Sequence, residues 1–177
     1  MSSSQEVPRG ARRLVVMRHA EAEPWADSDG ERGLTSKGLR DAAAAGLWLA
    51  EHGYLPDQAM VSAATRTRQT WHALAEAAGC TLEPDLRLDL YSAGPESALD
   101  ELRTAEESAH TLLVLGHNPT VSFLANLLQD GLGPTEAVTA MTAGYPPAAL
   151  TVLEYDGPWA RLSFGDARVL HFHVGRG

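Results

Sequence analysis

Short apolar runs alternate along this chain with longer segments in which apolar positions recur at helical spacing. The runs at 13–17, 59–62 and 111–115 are rich in Val, Leu and Met, with no regular alternation of apolar and polar residues. Such runs are typical of strands that are buried on both faces of a parallel sheet. The chain therefore contains three predicted central strands.

The segments between these runs predict helices. Apolar residues recur every three or four positions over 39–50, 66–78, 95–105 and 119–128. Thr35 or Ser36 is expected to cap the first helix, and Gly79 to end the second. Asn118 is the expected cap of the fourth, with Pro119 in its first turn.

Strand and helix alternate over roughly the first 130 residues, which predicts a three-layer α/β/α sandwich around a mostly parallel sheet. From residue 149 the pattern changes to three short segments, near 149–155, 159–165 and 169–174, which we expect to be antiparallel strands at the periphery. Residues 1–12 are polar and predict a disordered tail. The remainder, 13–177, is predicted to form a single domain.

Charge and cysteine content exclude several classes of protein. The net charge of −9 opposes binding to nucleic acid or to an anionic membrane. Cys80 is the only cysteine, so neither an intramolecular disulfide nor a cage of thiolates around a metal can form. There is no apolar signal segment or membrane span, and we expect the protein in the cytoplasm.

Polar side chains follow each of the three predicted central strands. Arg18 and His19 come after the first, Ser62 to Arg66 after the second, and Gly116 and His117 after the third. Taken singly, each segment has an ordinary structural explanation, such as a helix cap or a surface charge. Parallel strands, however, end at the same edge of a sheet, where ligands of such folds bind. The three segments are therefore expected to converge.

Two arginines and two histidines at helix N-termini match a tetrahedral dianion. Arginine suits this task, and Lys37 is the only lysine in the chain. A phosphoryl group carries the required charge of about −2. Because phosphoryl transfer depends mainly on positioning and charge stabilisation, these residues predict a site that needs one nucleophile and no metal or other cofactor.

Four separated segments carry a resemblance to a known family. They read LVVMRHAE at 14–21, LTSKG at 34–38, SAATRTRQT at 62–70 and GHNP at 116–119. In this order they resemble the histidine phosphatase superfamily, grouped around the cofactor-dependent phosphoglycerate mutases, and so imply a phosphoglycerate mutase-like fold. The short stretch between the last two segments is similar to the branch that includes phosphohistidine phosphatases, since it leaves little room for a helical cap.

The resemblance implies a role for each matching residue. His19 would be the nucleophile that becomes phosphorylated, while Arg18, Arg66 and His117 would bind the phosphoryl oxygens. Ala20 stands where family members commonly have glycine, a change that keeps the side chain small. His19 must be neutral to act as a nucleophile, whereas His117 is expected to serve better when protonated.

The predicted function is a metal-independent phosphatase that works through a phosphohistidine intermediate. A shallow site without a cap favours a phosphorylated protein as substrate, and phosphohistidine above all, because its imidazole leaves more easily than an alkoxide. A small phosphomonoester is the alternative substrate. A phosphate-binding or phosphoprotein-binding module without turnover is the alternative function. The oligomeric state stays open.

The general acid has two candidates. Glu21 follows the nucleophile by two residues, while Asp89 lies in the segment where the related enzymes carry their acid, and we favour Asp89 slightly. The acidic stretch 27–31 is expected to be a solvated loop at the mouth of the site, and Trp25 and Tyr91 are expected either to line that mouth or to pack in the core or at its edge. His171 and His173 share a strand face, but without a third ligand nearby they predict a histidine pair rather than a metal site.

Overall fold

The computed structural model describes residues 10–177, so most of the predicted tail lies outside the described residues. Arg12 is already part of the first strand, and its buried guanidinium pairs with Glu107 at 2.9 Å. The first strand thus begins one residue before position 13. The six strands are β1 (Arg12–Arg18), β2 (Gln58–Ser62), β3 (Asp85–Arg87), β4 (Thr111–Gly116), β5 (Ala149–Tyr155) and β6 (Arg168–Val174).

Five α-helices connect or flank these strands in residues 10–177. They are α1 (Ser36–Glu51), α2 (Thr65–Ala78), α3 (Pro95–Leu102), α4 (Thr120–Leu128) and α5 (Thr135–Ala143). The first two pack on one face of the sheet, and the other three pack on the opposite face. None of these helices is long and apolar enough to cross a membrane.

The sheet has the strand order β3-β2-β4-β1-β5-β6. The four strands from β3 to β1 are parallel, whereas β5 runs antiparallel to β1 and β6 antiparallel to β5. This confirms the predicted three-layer α/β/α sandwich with a mostly parallel sheet and antiparallel C-terminal strands.

The central strand β1 shows why an apolar run without alternation is needed. Leu14 and Val16 contact the core under α3, α4 and α5, while Val15 and Met17 contact the core under α1 and α2. All four side chains are fully buried. A strand with helices on both faces has no polar side, and the predicted central strands owe their pattern to this.

One predicted strand is wrong. Residues 159–165 do not pair with the sheet; they begin with a 3-10 turn at Trp159–Arg161. The Trp159 indole is fully buried and donates a hydrogen bond of 2.9 Å to the Ala109 carbonyl. The segment therefore serves to anchor this indole, and the sheet ends with the two strands β5 and β6.

Two short elements and one cap differ from the sequence pattern. The strand β3 has only three residues and no buried side chain, and α5 buries only Met141, so neither gives a strong apolar signal.

Asn118 does not cap α4, because its side-chain amide donates to the Tyr145 carbonyl at 2.8 Å and Pro119 takes the N-cap position. Thr35 caps α1 as predicted, accepting a hydrogen bond from the Gly38 amide.

Gly38 lets α1 pack against the segment that follows His19. A Cβ atom at this position would lie 2.1 Å from the Glu21 carbonyl oxygen. We expect Gly38→Ala to reduce the free energy of unfolding by about 1–3 kcal/mol, because backbone must move to relieve the overlap. Chemical denaturation would measure this loss.

Gly144→Ala is the matched control for that substitution. Gly144 has an extended backbone, with φ of 170°, and open space where the Cβ would lie. Its free energy of unfolding should stay close to that of the unchanged protein. Equal stability of both variants would show that the contact between α1 and Glu21 is not tight.

Candidate active site

The polar residues that follow β1, β2 and β4 meet at one edge of the sheet. Arg18 is paired in register with Gly116, and the His19 amide donates to the Gly116 carbonyl at 3.0 Å. The ring centroids of His19 and His117 lie 5.3 Å apart. The structure therefore brings together the two histidines that the sequence separates by almost one hundred residues.

A backbone carbonyl fixes the tautomer of His19. The Nδ1 atom lies 2.7 Å from the Ala20 carbonyl oxygen, which can only accept a hydrogen bond. Nδ1 must therefore carry the proton, and the lone pair of the neutral ring is on Nε2. This arrangement leaves the Nε2 lone pair available to a substrate.

Burial keeps His19 neutral. Burial is the largest cause; the hydrogen bond to Ala20 opposes it and the positive charges of Arg66, Arg18 and Arg32 add to it, so that the pKa of the ring falls from 6.5 to about 4. The imidazole is therefore unprotonated at neutral pH despite its cationic surroundings. A phosphoryl acceptor requires this state.

His117 is also neutral in the described state. Burial, followed by the charge of Arg66, lowers its pKa to about 3. The Ser62 hydroxyl lies 2.8 Å from Nε2 and can donate to it, which leaves the proton on Nδ1. Protonation of His117, which the sequence analysis favours, thus requires an anion beside the ring to raise its pKa.

Several buried donors at this edge have no partner among residues 10–177. They include Nε of Arg18, Nε of Arg66 and Nδ1 of His117. Because buried polar atoms in folded proteins are almost always paired, free donors in one region indicate that a ligand accepts from them. Two guanidinium groups and an imidazole N–H suit the oxygens of a phosphoryl group.

Asp29 contacts the phosphate-binding candidate Arg66, which the sequence analysis did not foresee. The guanidinium donates to the Asp29 carbonyl at 2.8 Å and to its carboxylate at 3.2 Å. Tyr91, expected at the mouth of the site, donates its hydroxyl hydrogen to the same carboxylate. The acidic loop is therefore folded onto Arg66, although no spacing in the sequence marks Asp29 among its acidic neighbours.

The two candidates for the general acid lie in different surroundings. Glu21 is half-buried and accepts a hydrogen bond of 2.9 Å from the Thr35 hydroxyl at the start of α1. Asp89 is exposed, in a 3-10 turn that follows β3. Leu88, the residue before Asp89, is also exposed, and Trp25 of the loop after β1 is 86% exposed.

The segment before β5 forms hydrogen bonds with Arg18 and His19, and the sequence did not predict these contacts. The Tyr145 carbonyl accepts from Nη1 of Arg18 at 3.0 Å as well as from Asn118. The Ala148 amide donates to the His19 carbonyl at 3.0 Å, from a residue with φ of 63°. A left-handed backbone is unusual for alanine, so packing around His19 must impose it.

His171 and His173 lie away from these residues, on β6. The ring of His173 stacks on Trp48 of α1 at a centroid distance of 4.5 Å, and His171 contacts the edge of the same indole. In the part of the chain that the structure describes, no group of three His, Cys, Asp or Glu side chains could hold a metal ion. The pair therefore contributes to an aromatic cluster.

The lowered pKa values of His19 and His117 predict a loss of stability in acid. The unfolded chain takes up protons at the ordinary pKa of 6.5, whereas the folded site takes them up only near pH 4 and 3. The stability that depends on keeping these two rings neutral is therefore complete above about pH 6.5 and is lost as the pH falls towards 4. Denaturation at pH 7.5, 6.0 and 5.0 should show a smaller decline for His19→Asn than for the unchanged protein, and an equal decline would contradict this assignment.

Comparison with known proteins gives a family match. Residues 14–95 match the family model of the histidine phosphatase superfamily, branch 1. The uncharacterized protein Rv1276c of Mycobacterium tuberculosis is 36% identical over 163 residues, which cover 90% of this chain and all of that relative. The residues that match the family model include most of β1, all of β2 and the helix α2, which carries Arg66.

Proteins described as phosphohistidine phosphatases are also similar. The structure of a proposed phosphohistidine phosphatase SixA from Nakamurella multipartitia superimposes with a TM-score of 0.81 at 35% identity, covering 96% of this chain and 99% of that chain. A phosphohistidine phosphatase SixA homolog of Haemophilus influenzae is 28% identical over 153 residues, 81% of this chain and 88% of the relative.

Proposed function

Because the chain belongs to the histidine phosphatase superfamily, we propose that it hydrolyses a phosphorylated substrate through a phosphoryl group carried on His19. The observation that carries this proposal is the state of the His19 ring. It is neutral, its Nδ1 is held by the Ala20 carbonyl, and its Nε2 is free next to Arg18, Arg66 and His117.

The reaction has two displacement steps. In the first, the Nε2 lone pair attacks phosphorus, the bond to the leaving group breaks, and the leaving group takes up a proton from the general acid. In the second, water attacks the phosphoryl group and gives a proton back to the same acid, while the P–Nε2 bond breaks, so that phosphate departs and the neutral ring returns. Charge on the equatorial oxygens is stabilised in both steps by Arg18, Arg66 and the Nδ1–H of His117.

We infer that the substrate is phosphohistidine on a protein. We take the exposed side chains of Leu88, next to Asp89, and of Trp25, in the loop that follows His19, as apolar contacts for a protein that presents a phosphorylated side chain. The names of the relatives from N. multipartitia and H. influenzae support the same chemistry. Imidazole is also the easier leaving group, since its second ring nitrogen can take up a proton before the P–N bond breaks, whereas an ester oxygen is too weakly basic for this.

A panel of substrates tests this inference. The specificity constant kcat/KM of the purified protein would be measured for a phosphohistidine protein, para-nitrophenyl phosphate and several small phosphomonoesters. A clear preference for phosphohistidine is expected. A preference for one small ester would establish a small-molecule phosphomonoesterase instead, and binding of phosphate without turnover of any substrate would establish a binding module.

The general acid is expected to matter only for poor leaving groups. Asp89→Asn should lower the rate on an alkyl phosphomonoester by on the order of 10²-fold and affect a phosphohistidine peptide far less. Glu21→Gln is the matched variant. It should affect the two substrates alike, because the Glu21 carboxylate accepts a hydrogen bond from the Thr35 hydroxyl. Equal and small effects of both substitutions on both substrates would show that neither carboxylate is the acid.

A further inference from the structure

The hydrogen bonds of Arg66 use only one edge of its guanidinium. This group has five N–H donors in one plane, two on each Nη and one on Nε. Asp29 accepts from Nη1 through its carbonyl and from Nη2 through its carboxylate, at 2.8 and 3.2 Å. The edge formed by the two Nη atoms is therefore occupied, whereas Nε is buried without a partner in residues 10–177.

Asp29 itself is held from two further sides. Tyr91 donates to carboxylate oxygen Oδ2, and Nε of Arg32 donates to Oδ1 at 3.0 Å. The guanidinium carbon of Arg66 lies 5.8 Å from the Tyr91 ring centroid, so the tyrosine contacts both members of the pair. Although the Asp29 side chain is 57% exposed, three groups fix the position of its carboxylate.

The charge state of Asp29 does not change over the working range of a phosphatase. The hydrogen bond from Tyr91 is the largest cause; burial opposes it, and the charge and hydrogen bond of Arg66 add to it, so that the pKa of Asp29 falls to about 2. A carboxylate is thus present next to the group that binds the substrate anion. Two negative charges close to the same guanidinium repel each other.

We propose that Asp29 is a positioning residue, which turns the free Nε edge of Arg66 towards the phosphoryl group and whose negative charge weakens the binding of phosphate. The proposal rests on the proposed function, because it assigns the phosphoryl oxygens to Arg66. Its two parts act in opposite directions. Orientation accelerates the transfer step, while repulsion favours release of the product phosphate.

Two substitutions at the same position separate orientation from charge. Asp29→Asn removes the charge but keeps a side-chain oxygen that can accept from Nη2 and from Tyr91. Asp29→Ala removes both, and only the backbone carbonyl remains to hold the guanidinium. Asp27→Asn is the control, since Asp27 is an exposed carboxylate of the same loop.

The experiment measures kcat with the preferred substrate and, separately, the dissociation constant of inorganic phosphate by calorimetry. Asp29→Ala should lower kcat by about tenfold, because a misplaced catalytic group is costly. Both Asp29 variants should bind phosphate about two to five times more tightly, the range expected for a partly exposed charge. Asp29→Asn should keep kcat within about threefold, and Asp27→Asn should change neither quantity.

Three results would overturn the proposal. They are an unchanged kcat in Asp29→Ala, phosphate binding that is weaker or unchanged in both Asp29 variants, and an equal response of Asp27→Asn. A parallel loss of kcat, phosphate affinity and thermal stability in Asp29→Ala would show a merely structural role. If the unchanged protein binds phosphate but turns over no substrate, the proposed function fails, while the phosphate affinities of the Asp29 variants still decide whether the carboxylate opposes anion binding.

Discussion

Replacement of His19 by alanine is expected to abolish phosphatase activity, with a loss on the order of 10⁶-fold, as for removal of a covalent nucleophile in other enzymes. The His19 imidazole is neutral and keeps its proton on Nδ1, so its Nε2 lone pair is available for attack beside Arg18 and Arg66. Without it, water would have to attack the substrate directly. Steady-state turnover of the preferred substrate measures the loss.

The fold should survive this substitution. Among residues 10–177 the His19 ring makes one side-chain hydrogen bond, to the carbonyl of the next residue, so its removal breaks no hydrogen bond between distant elements. Thermal unfolding would establish this, and His72→Ala is the matched control, since His72 is an exposed histidine on α2. Substantial activity in His19→Ala would rule out His19 as the phosphoryl carrier.

Arg66→Ala is expected to lower kcat by on the order of 10²–10³-fold, the loss typical of one preorganised donor to a developing charge. Arg66 is buried at the start of α2, and its charge lies close enough to lower the pKa of both histidines. Arg66→Lys should restore little of the activity. An ammonium group cannot bind Asp29 and the phosphoryl oxygens along two edges of one plane.

Arg68 provides the control for Arg66. It lies on the same helix, two residues further along, but its side chain is exposed and contacts Thr65 instead of the site. Arg68→Ala should therefore keep kcat close to that of the unchanged protein. Near-normal kinetics of Arg66→Ala, measured alongside this control, would remove Arg66 from direct contact with the phosphoryl group.

The sequence predicts those elements whose burial is uniform. The strands β1, β2 and β4 are buried on both faces, and this burial requires the apolar side chains that fill the middle of each run. Because parallel strands end at one edge, the same runs also predict which polar residues meet there. The strand predicted at 159–165 is wrong because a single buried indole in a turn, that of Trp159, gives the same local pattern as a short strand.

Contacts that depend on long loops could not be predicted. The bond from Arg66 to Asp29 joins residues 37 positions apart, and the bond from Arg18 to Tyr145 joins residues 127 apart. Neither partner belongs to an element with a periodic pattern, and a backbone carbonyl such as that of Tyr145 carries no residue-specific signal. The phosphate-binding candidates are visible in the sequence, whereas the groups that orient them are not.

Trapping the phosphorylated form of His19 tests most directly whether this residue carries the phosphoryl group. Protein quenched during turnover of a substrate labelled in its phosphoryl group would be digested and the label mapped. A label on His19 that is lost in acid and retained in alkali is the predicted result. A label on a serine, a threonine or a carboxylate would contradict the account.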